Sequence, residues 1–201
     1  MARIKTKRKG VGKKSYSIIV DGESEIWYLQ LMKNHEKLPR IDVKPELPRK
    51  KKLKELFELV KNNAQIYDKV IWLLDLDVII RGNKVDEFKK YVKQLKGNSR
   101  TIILINNPCL EFWFLLHFKE TGKSFLRCDD VITELKRFRE LKYYEKTEKF
   151  YKYAKSDIYL KLKPFQKSAN DNAQKLGDFD FDNIGSAKAE IYRILNILME
   201  N

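Results

Sequence analysis

The sequence predicts an α/β protein: a mostly parallel sheet of about four strands flanked by helices, with a helical C-terminal extension. Three observations predict it. Short runs of Val, Ile and Leu alternate with amphipathic helical stretches up to Ile105. Those runs do not alternate in polarity, which suits strands covered on both faces. From "NNPCLEFWFLLHF" onward the remaining stretches carry helical spacing.

The elements follow in order. "YSIIV" (Tyr16–Val20) is a short buried strand, "DGES" a turn and "EIWYLQLMKNH" a helix; "RIDV" (Arg40–Val43) is a weak second strand. Pro45 and Pro48 lead into "KKLKELFELVKNN", whose Leu53, Leu56, Phe57 and Val60 fall at helical spacing. "KVIWLL" (Lys69–Leu74) is the third strand. Asn83 is the expected N-cap of "KVDEFKKYVKQLK", with two acids in the first turn. "TIILI" (Thr101–Ile105) is the fourth strand. "CDDVITELKRFRELKYY", "QKSANDNAQKLG" and "SAKAEIYRILNILME" read as helices. The division this suggests is a basic arm over 1–14, an α/β core over 15–120 and a helical extension over 121–201.

The 201 residues suit one domain, and a hydrophobic fraction of 43% supplies a core. No apolar run approaches the roughly 18 residues that cross a bilayer. No apolar segment of signal-peptide length follows the basic N-terminus. Two cysteines and two histidines, scattered, match no zinc spacing. The expectation is a cytoplasmic protein without membrane contact, its thiols reduced and Cys109 a small apolar filler.

Lys and Arg total 42 against 28 Asp and Glu, a net charge of +14. Such an excess draws polyanions, nucleic acid first. Residues 1–14 hold seven basic groups and no acid, and "KPELPRKKKLK" (Lys44–Lys54) holds six against one. "EKTEKFYKYAKSDIYLKLK" interleaves lysines with Phe150, Tyr151, Tyr153 and Tyr159. That pattern can stack bases and bind phosphates. The plainer reading, an amphipathic helix with aromatics inside and lysines solvated, is preferred for this segment.

The acids are placed more tellingly. In "VIWLLDLDVII" (Val70–Ile80) an apolar strand runs into Asp75 and Asp77. Residues two apart in an extended segment point to one side, so both carboxylates can face one ligand. Asp21 and Glu23 follow the first strand, with Gly22 permitting a tight turn and Glu25 just beyond. Functional groups of parallel α/β sheets gather past the carboxyl ends of the strands. Carboxylates crowded there repel one another, and a divalent cation such as Mg²⁺ resolves the conflict. A basic surface would deliver a phosphodiester to it. The plainer reading is that these aspartates simply end a strand.

Glu111 needs a partner. If Asn107 caps a helix beginning at Pro108, the face of Glu111 carries Phe114, Leu115 and Phe118. A lysine, a backbone donor or a metal would serve, and the alternative to a site role is a structural ion pair. His117 reads as a hydrogen-bonded core histidine rather than a ligand.

"IIVDGESEIWYLQLM", "VIWLLDLDVII" and "INNPCLEFWFLLHF" together resemble the RloB family, which includes the AbiL-type phage-resistance proteins. The similarity extends to "YEK" (Tyr144–Lys146) and an "NA-x-x-L" segment (Asn172–Leu176), from about Tyr16 to the C-terminus. It implies a Toprim-like, Rossmann-like domain with a Mg²⁺- (or Mn²⁺-) dependent nuclease site. By this resemblance Asp21, Asp75 and Asp77 hold metal. Asp21 ligates metal or shuttles a proton, Glu23, Glu25 or Glu111 serves as a supplementary acid, and Lys146 offers its charge to a phosphate. The resemblance also implies work beside an ABC/SMC-like ATPase partner in phage defence. One departure stands out: the first acid, usually Glu, is here Asp21, one methylene shorter.

Two rival functions follow from the residues. One is a non-catalytic adaptor that binds nucleic acid and a partner, its acids vestigial. The other is an aspartate-nucleophile phosphotransferase, which "DLDVIIRG" disfavours because no Thr follows the pair.

Overall fold

The structure, a computed structural model, describes residues 14–38, 40–44, 52–153 and 155–199. The basic arm up to residue 13, and residues 45–51 of the "KPELPRKKKLK" cluster, lie outside the described residues. Five strands form one sheet: β1 (Tyr16–Ile19), β2 (Ile41–Lys44), β3 (Lys69–Asp75), β4 (Thr101–Asn107) and β5 (Lys188–Ala189). Their spatial order is β2-β1-β3-β4-β5. The first four are parallel, and β5 runs antiparallel to the end of β4.

The apolar strands have the coverage that their lack of polar alternation requires. Along β3 successive side chains point to opposite faces. Val70, Trp72 and Leu74 meet one layer, and Ile71 and Leu73 meet the other. The first layer is α2 (Leu53–Asn63), α3 (Leu76–Arg81) and α4 (Val85–Leu95). There Phe57 stacks on Tyr91 with ring centroids 4.1 Å apart, and Phe88 meets Trp72 edge-on. The second layer begins with α1 (Glu23–His35) and α5 (Leu110–Leu116). It continues through α6 (Cys128–Leu135), α7 (Glu148–Lys152), α8 (Ile158–Leu162), α9 (Gln166–Lys175) and α10 (Arg193–Met199). Trp113 lies at its centre, its indole N–H donating to Tyr28 Oη at 3.0 Å.

Several local readings change. Asp75 ends β3 and α3 starts at the next residue, so Asp77 lies in a first helical turn and not in an extended segment. Asn107 is the last residue of β4, and the following helix begins at Leu110. Asn83 is not an N-cap: it has φ of 52°, in the left-handed region, just past the end of α3, and Lys84 precedes α4. "SAKAEIYRILNILME" begins as a strand, because the end of β4 needs a neighbour. Asn107 Nδ2 donates to the carbonyls of Ile184 and Ser186, and β5 pairs beside it.

The lysine- and aromatic-rich segment folds into α7 and α8. Tyr151 and Tyr159 are core residues, while Tyr153 stands in solvent. Among the described residues no helix is long and apolar enough to cross a membrane.

Candidate functional site

The carboxyl ends of β1 and β3 open onto one cleft of about 460 Å³, walled also by the segment after β4. Asp21 enters it one residue after the segment that continues β1. Gly22 then lets the chain turn into α1, and the Glu25 side chain folds back over it. A Cβ built on Gly22 would stand 2.2 Å from Glu25 Oε2. Glycine is needed here to make room for a carboxylate rather than for an unusual φ. Glu23, by contrast, is exposed at the rim.

Asp75 sits where β3 leaves the core. Asn106 Nδ2 donates to its Oδ1 at 3.3 Å, and the backbone N–H of Leu110 donates to its Oδ2 at 3.2 Å. Asp77 is positioned by its own backbone N–H, which donates to the Pro108 carbonyl at 3.1 Å. Its carboxylate pairs with Arg81, four residues on, at 3.1 Å.

Glu111 lies behind this group with no exposed surface. Tyr144 donates to its Oε1 at 2.5 Å and Lys146 Nζ pairs with the same atom at 3.0 Å. Tyr144 is in turn bonded to Tyr151 at 2.6 Å. The lysine foreseen as a partner is therefore present, and it comes from the "YEK" segment, far along the chain. That segment was paired with the acids only by the family resemblance. The "NA-x-x-L" helix has a structural part instead: Asn172 Nδ2 donates to the Leu116 carbonyl at the end of α5.

The electrostatics follow from crowding. Burial pushes Asp21 up to about 6, with Asp77 adding to it. Burial, then the charges of Asp21 and Glu111, push Glu25 up to about 8. Asp75 is raised well above the ordinary carboxylate range by burial and then by Glu25, Asp21 and Glu111. Burial raises Asp77 as well, against Arg81 and Lys146. Burial works against the Lys146 ammonium, but Glu111, Asp75 and Glu25 outweigh it and hold its pKa above the ordinary value.

Burying one Leu or Ile contributes only about 1.5–3 kcal/mol, while an ion taken from water costs several. A site of this kind is bearable because the apolar strands on both sides of it hold the fold together. Its donors toward the cleft are carboxylate oxygens, hard ligands of the type Mg²⁺ and Mn²⁺ prefer. The mutual repulsion is what a divalent cation relieves. The donor chemistry fits such an ion, although among the described residues the group of three ligand atoms lying within 4.8 Å of one another is Cys109, Glu111 and Cys128 and not the three aspartates.

Two expectations about other residues are settled. His117 is a core histidine: its ring meets Trp113 edge-on at 4.6 Å, Nδ1 faces the Trp113 carbonyl at 2.9 Å, and burial lowers its pKa to about 4. Cys109 is not a free apolar filler, nor are the thiols reduced, because Cys109 and Cys128 form a disulfide. Sequence spacing held no signal for this pairing, 19 residues apart across a loop. The two sulfurs and the Glu111 carboxylate lie within 4.8 Å of one another. Bonded to each other, the sulfurs offer no thiolate, so this trio does not suit a metal ion in this state.

Basic residues ring the mouth of the cleft: Lys52, Arg81, Lys84 and Arg127 line it together with Lys146. The model of the RloB-like protein family matches residues 16–197. The chain belongs to the RloB family. No curated protein and no solved structure matches it.

Proposed function

We propose that this RloB-family chain is a metal-dependent nuclease that hydrolyses phosphodiester bonds of DNA or RNA. One observation carries the reading: Asp21, Glu25, Asp75 and Asp77 converge in a cleft past the carboxyl ends of parallel strands, and its mouth is ringed with cations. The strand order and the placement of the acids also support a Toprim-like reading of the domain. The ring of Lys52, Lys84 and Arg127 would hold the phosphate backbone of an incoming strand.

Asp21, Asp75 and Asp77 would hold Mg²⁺ or Mn²⁺. When bound, such an ion polarises a phosphoryl oxygen and eases loss of the leaving oxygen. The rest falls to the chain. The Leu110 N–H and Asn106 amide fix the two Asp75 oxygens, and Arg81 fixes Asp77. Glu25, seated behind Asp21 against Gly22, is positioned to hold or pass a proton. Lys146 faces the cleft from its pair with Glu111 and places positive charge beside a scissile phosphate. Work in the cytoplasm beside an ABC/SMC-like ATPase in phage defence belongs to the same proposal and rests on family membership alone.

The test is cleavage of single- and double-stranded DNA and RNA with Mg²⁺ or Mn²⁺, by the wild type and by Asp75→Ala/Asp77→Ala. Turnover by the wild type alone is expected. Equal cleavage by both, with the fold intact, would sink the assignment. A second reading, a non-catalytic nucleic-acid-binding adaptor, draws on the ion pairs that already neutralise Asp77 and Glu111. It predicts salt-dependent binding without turnover.

A further inference from the structure

The Cys109–Cys128 disulfide is more intimately tied to the acidic cleft than a remote staple would be. Cys109 stands between the two backbone groups that position the aspartates. Pro108, before it, accepts from the Asp77 N–H, and Leu110, after it, donates to Asp75. Cys128 opens α6. Its Sγ lies 2.9 Å from Glu111 Oε2 and 3.4 Å from Lys146 Nζ. Both cysteines line the cleft, so a small reagent that enters it meets the bond.

A disulfide sulfur carries no proton. The close Sγ–Oε2 approach is therefore a contact without a hydrogen bond while the bond is intact. A thiol at the same place would donate to Glu111. The bond also ties the 108–110 segment, which holds Asp75 and Asp77 in place, to the start of α6.

We propose that Cys109 and Cys128 are a reversible thiol–disulfide site, opened by a dithiol reductant, whose reduction weakens cation binding in the cleft. The inference rests on the metal-site reading above. In the reaction a reagent thiolate attacks one cysteine sulfur and the Cys109–Cys128 bond breaks as a mixed disulfide forms. The second reagent thiolate then displaces the protein sulfur. Two electrons and two protons pass to the protein, which gains two thiols, and the reagent leaves as its own disulfide. Cys128 is then free of Cys109, its thiol turns to Glu111, and the 108–110 segment that positions Asp75 and Asp77 loses its tie to α6.

The experiment uses the full chain, air-oxidised or treated with dithiothreitol, which is removed before measurement. Alkylation and mass spectrometry count thiols, circular dichroism follows the fold, and calorimetry with Mn²⁺ alone reads affinity. The oxidised chain should take no alkyl group and the reduced chain two, with the same dichroism. Mn²⁺ should bind about tenfold more weakly after reduction, the size of loss typical when groups that orient metal ligands are disturbed. Cys109→Ser and Cys128→Ser should each bind Mn²⁺ like the reduced chain, with or without prior dithiothreitol. A bond that is only a staple would change thermal stability and leave the affinity alone. Two free thiols in the folded, air-oxidised chain would overturn the proposal. Equal affinity in both redox states would overturn it while the metal site stands. Absence of Mn²⁺ binding in both states would overturn the metal site and this inference together.

Discussion

Buried carboxylates stand at two places beside the end of β4, and they are held in opposite ways. Glu190, on the side of β5, accepts the Ile105 N–H on one oxygen and the Phe179 N–H on the other, both at 2.7 Å. Burial raises its pKa, and those two backbone donors work against the rise. Across the strand ends Asp21, Glu25, Asp75 and Glu111 face one another, and burial disfavours the charge of Asp21, Glu25 and Asp75 while neighbouring carboxylates add to it. Burial alone therefore does not mark a functional acid. Glu190 is a structural acid because backbone dipoles answer both its oxygens away from the cleft, whereas Asp75, whose oxygens also meet donors, faces three other carboxylates. The cleft acids are candidates because part of what each one faces is another carboxylate.

The widest separation should come from Asp75→Asn. Cleavage should fall by about a thousandfold, roughly 4 kcal/mol of transition-state stabilisation, while the apo protein stays folded in a thermal melt. A variant that cuts normally would break the comparison on the cleft side. On the other side, Glu190→Ala should lower unfolding free energy by about 2–4 kcal/mol in urea, since two buried N–H groups lose their acceptor. Calorimetry should still find Mn²⁺ bound to the folded fraction.

The next effect is a pH dependence. Asp21 at about 6 and Glu25 at about 8 lie above their ordinary 3.8 and 4.5. A folded carboxyl with a raised pKa holds its proton more tightly than the unfolded chain does. These groups therefore favour folding most fully at low pH, and stability is lost as pH rises from about 4 to about 8. The melting temperature of the metal-free protein should fall across that window, and Glu25→Gln should flatten the fall. Added Mn²⁺ should restore the loss at its upper end. A melting temperature that climbs steadily to pH 8 would contradict the crowding.

The smallest effect is at His117. Its folded pKa of about 4 lies below the ordinary 6.5, so its contribution is full above pH 6.5 and fades as pH falls toward 4. His117→Gln should flatten that acid limb in thermal melts and leave Mn²⁺ affinity unchanged. A changed affinity would bring His117 into the site after all.

Much of this was legible beforehand because it depends on local pattern. Non-alternating apolar runs mean strands buried on both faces, and β1, β3 and β4 are that. Asp21, Asp75 and Asp77 could be placed near each other because residues that follow parallel strands share one edge. What misled was local geometry at the strand ends. "DLDVII" reads as extended by composition, yet α3 begins at Leu76, where Ile79 packs into the core and Arg81 pairs with Asp77. "SAKAE" reads as helix by composition, yet the bare edge of β4 draws Lys188 and Ala189 into β5.

By itself, then, the sequence determined the α/β class, the parallel strands and the acids at their ends. Those follow from hydrophobic period and from chain order. Only the tertiary structure decided that Lys146 and Tyr144 serve Glu111, that Cys109 joins Cys128, and that Glu190 seals β4. Those are contacts between residues from 19 to 85 positions apart. No local periodicity encodes them. They form because helices that bury their apolar faces on one sheet bring distant polar groups to the same few ångströms, where each must find a partner.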